Sequence, residues 1–312
     1  MPARGSQALP QFRTVFEFGS KQLTHWFPGH MAKGMREMQR RLADCDCVVE
    51  VHDARLPFSG RNPKFDMLQP KPRLLVLNKA DLTDSQQLAR AVKVLKRSGQ
   101  HVIPAVCGGR KQEGIRRVLP ALLHLVDQTV LQREKPYMRI LVAGMPNVGK
   151  STFVNALRRA FTDRGSCAPT GDRPGVTRAV QNDIIVNEDP PIYVLDTPGV
   201  MLPKIEDQDL GMKLAMIGTL RDDVVGEELL ADYTLFTLNR MRNFHYVDRF
   251  NLEGPSDEID VVLDGIARRI GALGSGGSPS HDRAARHLLL CLRQGKLGKL
   301  VLDELPTDPT QL

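Results

Sequence analysis

Short apolar runs and helical patterns alternate along the first two thirds of the chain. "CVVEV" at 47–51, "RLLVLN" at 73–78 and "HVIPAV" at 101–106 predict buried strands. Between them, "DSQQLARAVKVLKRSG" at 84–99 has an N-cap-like start, apolar residues at Leu88, Val92 and Leu95, and a terminal glycine, which predicts a helix. "QEGIRRVLPALLHLV" at 112–126 predicts a second helix, kinked at Pro120. "RILVAG" at 139–144 reads as a strand entering a glycine loop, and "KSTFVNALRRA" at 150–160 as the helix that follows. "NDIIV" at 182–186 and "IYVLD" at 192–196 predict two more strands. Strands alternating with helices imply an α/β domain built on a parallel sheet with helices on both faces. Past about residue 207 the pattern turns helical, in "DLGMKLAMIG", "GEELLADYTLFTLNRM", "DEIDVVLDGIARRIGAL" and "HDRAARHLLLCLRQGKLG". "GSGGSPS" at 274–280 reads as a flexible joint between two of these helices.

Composition narrows this picture only modestly. A length of 312 residues suits two domains, and 41% hydrophobic residues suffice for a real core. The net charge of +7 and a pI near 9.3 favour an anionic partner, which leaves nucleic acid and membrane surfaces both open. The five scattered cysteines lack zinc-ligand spacing and read as small buried hydrophobes in a reducing compartment. No apolar run approaches the roughly 20 residues of a membrane span. Residues 1–35 carry Arg4, Arg13, Lys21 and Lys33 against the single acid Glu17, the bias of a mitochondrial transit peptide.

The chemistry lies in the loops. "GMPNVGKS" at 144–151 fits the phosphate-loop spacing and stands between a strand and a helix. Gly144 and Gly149 let the backbone wrap phosphates, and the helix start near Lys150 adds its positive end. Lys150 is expected at the β- and γ-phosphates and Ser151 on Mg²⁺. Asn147, Val148 and Thr152 complete the loop as candidate nucleotide contacts. In the run Asn78-Lys79-Ala80-Asp81, the Asp81 carboxylate can accept from both the ring N–H and the exocyclic amine of guanine. Adenine offers neither donor there, so ATP is expected to be rejected. Asn78 would bond the base and tie loops together, the Lys79 stem would cover the base, and the Ala105 N–H would meet the guanine carbonyl. In "LDTPG" at 195–199, Asp196 is a candidate Mg²⁺ partner through water and Gly199 a candidate γ-phosphate donor. Thr177 in "RPGVTR" lies between Ser151 and Asp196 in sequence and is the candidate switch threonine on Mg²⁺.

The base-reading run precedes the phosphate loop, the reverse of the ordinary order in GTP-binding domains. With "WFPGHMAKG" at 26–34, "HDARLPFSGRNP" at 52–63, "NKAD", "GMPNVGKS", "PGVTR" and "DTPGV", this order resembles the circularly permuted GTPases of the YlqF/RbgA type, which assemble large ribosomal subunits. The resemblance is greatest to the mitochondrial ribosome-associated branch. It implies a P-loop GTPase fold, a doubly wound, mostly parallel α/β sheet in permuted order, followed by a small all-helical C-terminal domain. The expected divisions are a basic segment at 1–25, a candidate transit peptide; the GTPase domain at 26–206; and the helical domain at 207–312, which would contact RNA.

Many small GTPases place a glutamine after the sensor-loop glycine to orient the attacking water. Here that residue is Val200, so unstimulated hydrolysis is expected to be slow. The resemblance offers His30 as the substitute, beside Lys150 and Thr177 as catalytic residues, and likens Asn147 to the asparagine of potassium-activated relatives. A residue chosen for turn geometry is the other reading of Asn147. Expected ligands are GTP, GDP, Mg²⁺ and, as a further candidate, K⁺. The expected partner is the large mitochondrial ribosomal subunit, in the matrix, with a peripheral place on the inner membrane as a further candidate. The alternative function is a GTP-gated regulatory binding protein of translation or of the inner membrane, with hydrolysis incidental. Arg158, Arg159, Arg164, Arg173 and Arg178, and on the last helix Arg283, Arg286, Arg293, Lys296 and Lys299, are candidate phosphate contacts. Arg55 of "DAR" either organises the N-terminal segment or touches RNA.

Overall fold

The computed structural model describes residues 11–18, 41–61, 71–109, 111–130, 137–162, 183–196 and 207–305. They fall into two compact units. One comprises Thr24–Leu210 with Lys299–Leu312; the other comprises Met1–Leu23 with Gly211–Gly298.

The first unit is built on a six-stranded sheet. Its strands are β1 (Cys47–Asp53), β2 (Arg73–Asn78), β3 (His101–Pro104), β4 (Met138–Ala143), β5 (Ile184–Glu188) and β6 (Pro191–Asp196), in the order β3-β2-β1-β4-β6-β5. Helices α1 (Ser85–Arg97), α2 (Val118–Val130) and α3 (Lys150–Phe161) connect them. Every residue of β1 is buried, which in an alternating strand requires cover on both faces. Leu75 and Leu77 of β2 pack with Leu88 and Leu95 of α1 and with Val102 of β3. The Asp84 carboxylate caps α1 by accepting from the Gln86 and Gln87 N–H groups at 3.1 and 2.9 Å.

Three features depart from the sequence pattern. First, β5 runs antiparallel to β6, while β1, β2, β3, β4 and β6 pair in parallel. Only two residues join β5 to β6, and a parallel crossover needs many more. Second, Pro120 does not kink its helix. It is the third residue of α2, where backbone N–H groups have no partner within the helix in any case. Third, the apolar strand β1 holds buried Glu50 and His52 side chains, two residues apart and therefore on one face. They pair at 2.9 Å, and Arg73 approaches the other Glu50 oxygen at 3.4 Å. Burial pushes the Glu50 carboxyl up, but His52 and Arg73 outweigh it and hold it below the usual range.

The second unit contains α5 (Asp222–Val225), α6 (Glu227–Arg240), α7 (His245–Phe250), α8 (Ile259–Ile270) and α9 (His281–Arg293). It also takes the greater part of α4 (Gln208–Met216), from Gly211 onward. Helix α9 packs on α6 and α8, and Leu288, Leu289 and Leu292 are buried with Leu235, Leu238, Leu263 and Ile266. Arg293 holds α4 to α5. It donates to the carbonyls of Met216 and Ala215 at 3.0 and 2.7 Å and forks onto Asp222 at 2.8 and 2.5 Å. Arg286 pairs with Glu227. Arg293 therefore serves the unit's own packing, while Arg286 keeps its side chain exposed. The stretch 274–280 is a closed turn rather than an open joint, with Gly274 N–H donating to Ser278 O at 2.8 Å and Ser280 N–H to Ala272 O at 2.9 Å.

Residues 11–18 belong to this helical unit. The Phe16 ring is buried, with centroids 5.1 Å from Tyr233 and 5.5 Å from Phe236. Arg13 forks onto Asp232 at 2.6 and 3.2 Å, and its backbone N–H donates to the Asp257 carboxylate. The boundaries thus differ from those drawn on sequence at both ends, since the N-terminal segment joins the helices and the tail from Lys299 joins the sheet unit. Phe16→Ala is expected to lower the stability of the helical unit by about 3 kcal/mol, read by urea denaturation. A loss below about 1 kcal/mol would mean that the ring is not part of this core.

Candidate nucleotide-binding site

Strands β2, β1 and β4 are neighbours and all parallel, so their carboxyl ends open on one edge of the sheet. The strand order reverses between β1 and β4, where open α/β sheets bind their ligands. Three loops leave this edge: Asp53-Ala54-Arg55 after β1, Asn78–Asp81 after β2, and Gly144–Lys150 after β4.

The phosphate loop has the backbone its glycines require. Gly144 has φ 151°, and a Cβ there would collide with Val51 O. Gly149 has φ 96° and caps α3. Asn147 has φ 58°, a left-handed conformation that asparagine tolerates better than most residues. This turn geometry by itself accounts for an asparagine at that position. Lys150 opens α3 with its side chain buried, and its ammonium donates to Met145 O at 3.0 Å, inside the loop. Ser151 and Thr152 stand half-buried in the same first turn.

The run Asn78–Asp81 is tied to this loop. Asn78 Nδ2 donates to Val148 O at 2.8 Å, and its Oδ1 accepts from Cys107 N–H at 3.2 Å. A Cβ on Gly149 would collide with that same Asn78 nitrogen, so this glycine permits both the loop and the tie. Lys79, left-handed at φ 60°, donates from Nζ to Asn147 O at 2.8 Å. Ala80 N–H donates to Ala105 O at 3.1 Å. Asp81 lies in the single 3-10 turn Ala80–Leu82 with its side chain exposed. Burial, then the Asp81 charge, push the Cys107 thiol up to about 12, which leaves it unreactive.

Ala105 does not fill the role expected of it. Its N–H donates to Leu77 O at 2.8 Å, which removes it as a donor to a base. Asp196 ends β6 with its Cα paired to Val142, two residues before the phosphate loop begins. His30, Thr177 and Gly199 lie outside the described residues. Mg²⁺ commonly takes one or two protein oxygens together with phosphates and water. The Ser151 hydroxyl, in the first turn of α3, is a hard oxygen donor of that kind and fits the ion.

A family model described as a 50S ribosome-binding GTPase matches residues 139–251. Mitochondrial ribosome-associated GTPase 1 of Ictalurus punctatus is 43% identical, covering 95% of this chain and 97% of that one. Ribosome biogenesis GTPase A of Bacillus cereus is 37% identical, covering 89% of this chain and 93% of its own. The GDP-bound structure of TM YlqF has a TM-score of 0.60 at 26% identity, covering 88% of this chain and 100% of that one. The chain belongs to the YlqF/RbgA family of GTPases.

In this YlqF/RbgA GTPase the "DAR" loop has a role that the sequence left open. Arg55 is buried and forks onto Asp53, Nε to Oδ1 at 2.9 Å and Nη2 to Oδ2 at 2.8 Å. Asp53 Oδ2 also pairs with Lys79 Nζ at 3.0 Å. The arginine therefore does not face RNA. Burial pushes the Asp53 carboxyl up, but Arg55 and Lys79 outweigh it and hold it well below the usual range. A carboxyl with a depressed folded pKa contributes stability above the ordinary carboxylate pKa and loses it as pH falls through the folded value. Two opposite charges two residues apart after a strand were the available signal. Gly149→Ala is expected to weaken GDP binding at least about tenfold, because its Cβ expels Asn78 from the loop and leaves buried polar groups unpaired. Calorimetric titration checks this; unchanged affinity would dissociate the glycine from the tie.

Proposed function

We propose that this GTPase acts in assembly of the large mitochondrial ribosomal subunit, with GTP hydrolysis as the release or checkpoint step. The observation that carries the reading is the convergence of Asn78–Asp81 and the phosphate loop on one sheet edge. It is joined to the near full-length similarity to mitochondrial ribosome-associated GTPase 1, also 43% identical in Mus musculus. In this reading Asp81 selects guanine, and the Gly144–Ser151 backbone and Lys150 hold the phosphates. Ser151, Thr177 and, through water, Asp196 would hold Mg²⁺, which would supply neutralisation of phosphate charge when bound. Gly199 senses the γ-phosphate, and His30 orients water in place of the side chain missing at Val200.

The protein resides in the matrix, with peripheral contact to the inner membrane; no helix among the described residues is long and apolar enough to cross one. A removed import segment would have to end before Gln11, because Arg13 and Phe16 are engaged in the helical unit. The helical unit meets rRNA. Arg293 is occupied internally, so the exposed cations, such as Arg283, Arg286 and Lys296, make that contact.

Sedimentation with mitochondrial large subunits is expected to be stronger with a non-hydrolysable GTP analogue than with GDP. The subunit is expected to raise GTP turnover at least about tenfold, and His30→Ala to abolish that rise without changing GTP affinity. No association and no stimulation would overturn the assembly reading. If Asn147 helps to hold K⁺ as a charge neutraliser, GTP turnover in KCl exceeds that in NaCl severalfold. Equal rates would leave the asparagine to its left-handed turn.

A further inference from the structure

The chain leaves the helical unit at Gly298, and from Lys299 it belongs again to the sheet unit. The returning run is buried at Leu300, Val301 and Leu302, yet it lies in no strand or helix. Its polar groups are directed at two loops of the nucleotide site. Leu300 N–H donates to Leu82 O at 3.2 Å, the carbonyl of the residue after Asp81. Leu302 N–H donates to Arg55 O at 2.8 Å. The Asp303 carboxylate accepts from the N–H groups of Phe58 and Ser59 at 2.7 and 3.0 Å, and from the Ser59 hydroxyl. Phe58, held in this way, packs against the cluster that contains Leu77 and Leu88, together with Ala80.

We propose that residues 300–303 are a positioning element of the guanine reader, anchored by Asp303. One arm fixes the backbone directly beyond Asp81. The other fixes Arg55, whose guanidinium holds Asp53, whose carboxylate holds Lys79 Nζ, which in turn holds Asn147 O of the phosphate loop. The tail thus braces both flanks of the pocket in which a base lies, without touching nucleotide itself. A charge-assisted bond to two adjacent N–H groups orders a loop more strongly than neutral contacts do. A recognition carboxylate on a loosened turn loses discrimination before it loses binding to the phosphates.

The proposal rests on the reading of Asn78–Asp81 as the guanine reader, so the experiment separates the two. The full chain and its variants Asp303→Ala, Asp303→Asn and Asp81→Asn are titrated with GDP, inosine diphosphate and xanthosine diphosphate, with folding followed by circular dichroism. Inosine diphosphate lacks the exocyclic amine that Asp81 would accept from. Asp303→Ala is expected to weaken GDP about tenfold and inosine diphosphate much less, narrowing their ratio severalfold. Asp303→Asn keeps an accepting oxygen and is expected to restore at least half of that ratio; it also serves if the alanine variant does not fold. Asp81→Asn is expected to favour xanthosine diphosphate. If Asp81→Asn switches preference but folded Asp303 variants keep the wild-type ratio, the tail is only a stabilising cover and the proposal falls. If Asp81→Asn does not switch, the reader itself is misassigned and the proposal falls with it.

Discussion

Two side chains from the loop after β2, Asn78 and Lys79, donate into the carbonyls of Val148 and Asn147, and the geometry of the nucleotide site depends on these bonds. They set the distance from the Asn78–Asp81 turn to the Gly144–Lys150 loop. They also satisfy carbonyls that the unusual backbone of the phosphate loop turns away from any ladder. The partners are about seventy residues apart in sequence, yet only β1 separates their strands in the sheet. A parallel sheet presents all its carboxyl ends on one edge whatever the order in which the strands were made. The bonds require adjacency in space, and adjacency survives when a chain is opened in one loop and closed in another. For this reason a GTPase can carry its base reader ahead of its phosphate loop.

Spacing rules were informative where they encode backbone conformation. The glycines at 144 and 149 and the asparagine at 147 are needed for φ values that can be checked directly, and all three adopt them. The limits of β2 were legible because an apolar run ends there against a left-handed lysine. Ala105 was misread because a motif position does not say whether an N–H is already consumed by a neighbouring strand. The direction of β5 was legible only in the short gap between the runs at 182–186 and 192–196, which is too short for a parallel crossover. Arg55 could not be assigned because a guanidinium that folds back onto a carboxylate and one that faces RNA look alike in sequence. Buried Glu50 and His52 were hidden inside an apolar run because pairing is a three-dimensional property.

The same distinction applies to the basic residues. A run of arginines along α9 suggests a phosphate-binding face, yet Arg293 is committed to Asp222 and to the end of α4. Such pairs limit where a polyanion can gain energy, since a cation already neutralised releases few counterions on binding. The buried pair of Asp53 and Arg55, with half-buried Lys79 at its rim, carries the same logic inward. Removing Asp53 or Arg55 strands the other in a low-dielectric setting, which ties the integrity of this loop to the integrity of the core.

The strap at 11–18 has a bearing on biosynthesis. Arg13 and Asp232 are 219 residues apart, so at roughly 5–20 residues per second the strap emerges from the translating ribosome some ten to forty seconds before the helix that receives it. During that interval the aromatic side chains Phe12, Phe16 and Phe18 have no core to enter and stay exposed to solvent. Only when α6 has been made can Phe16 settle against Tyr233. Burial of this ring therefore waits on the far end of the chain, and the helical unit cannot close its core around Phe16 until α6 has been synthesised.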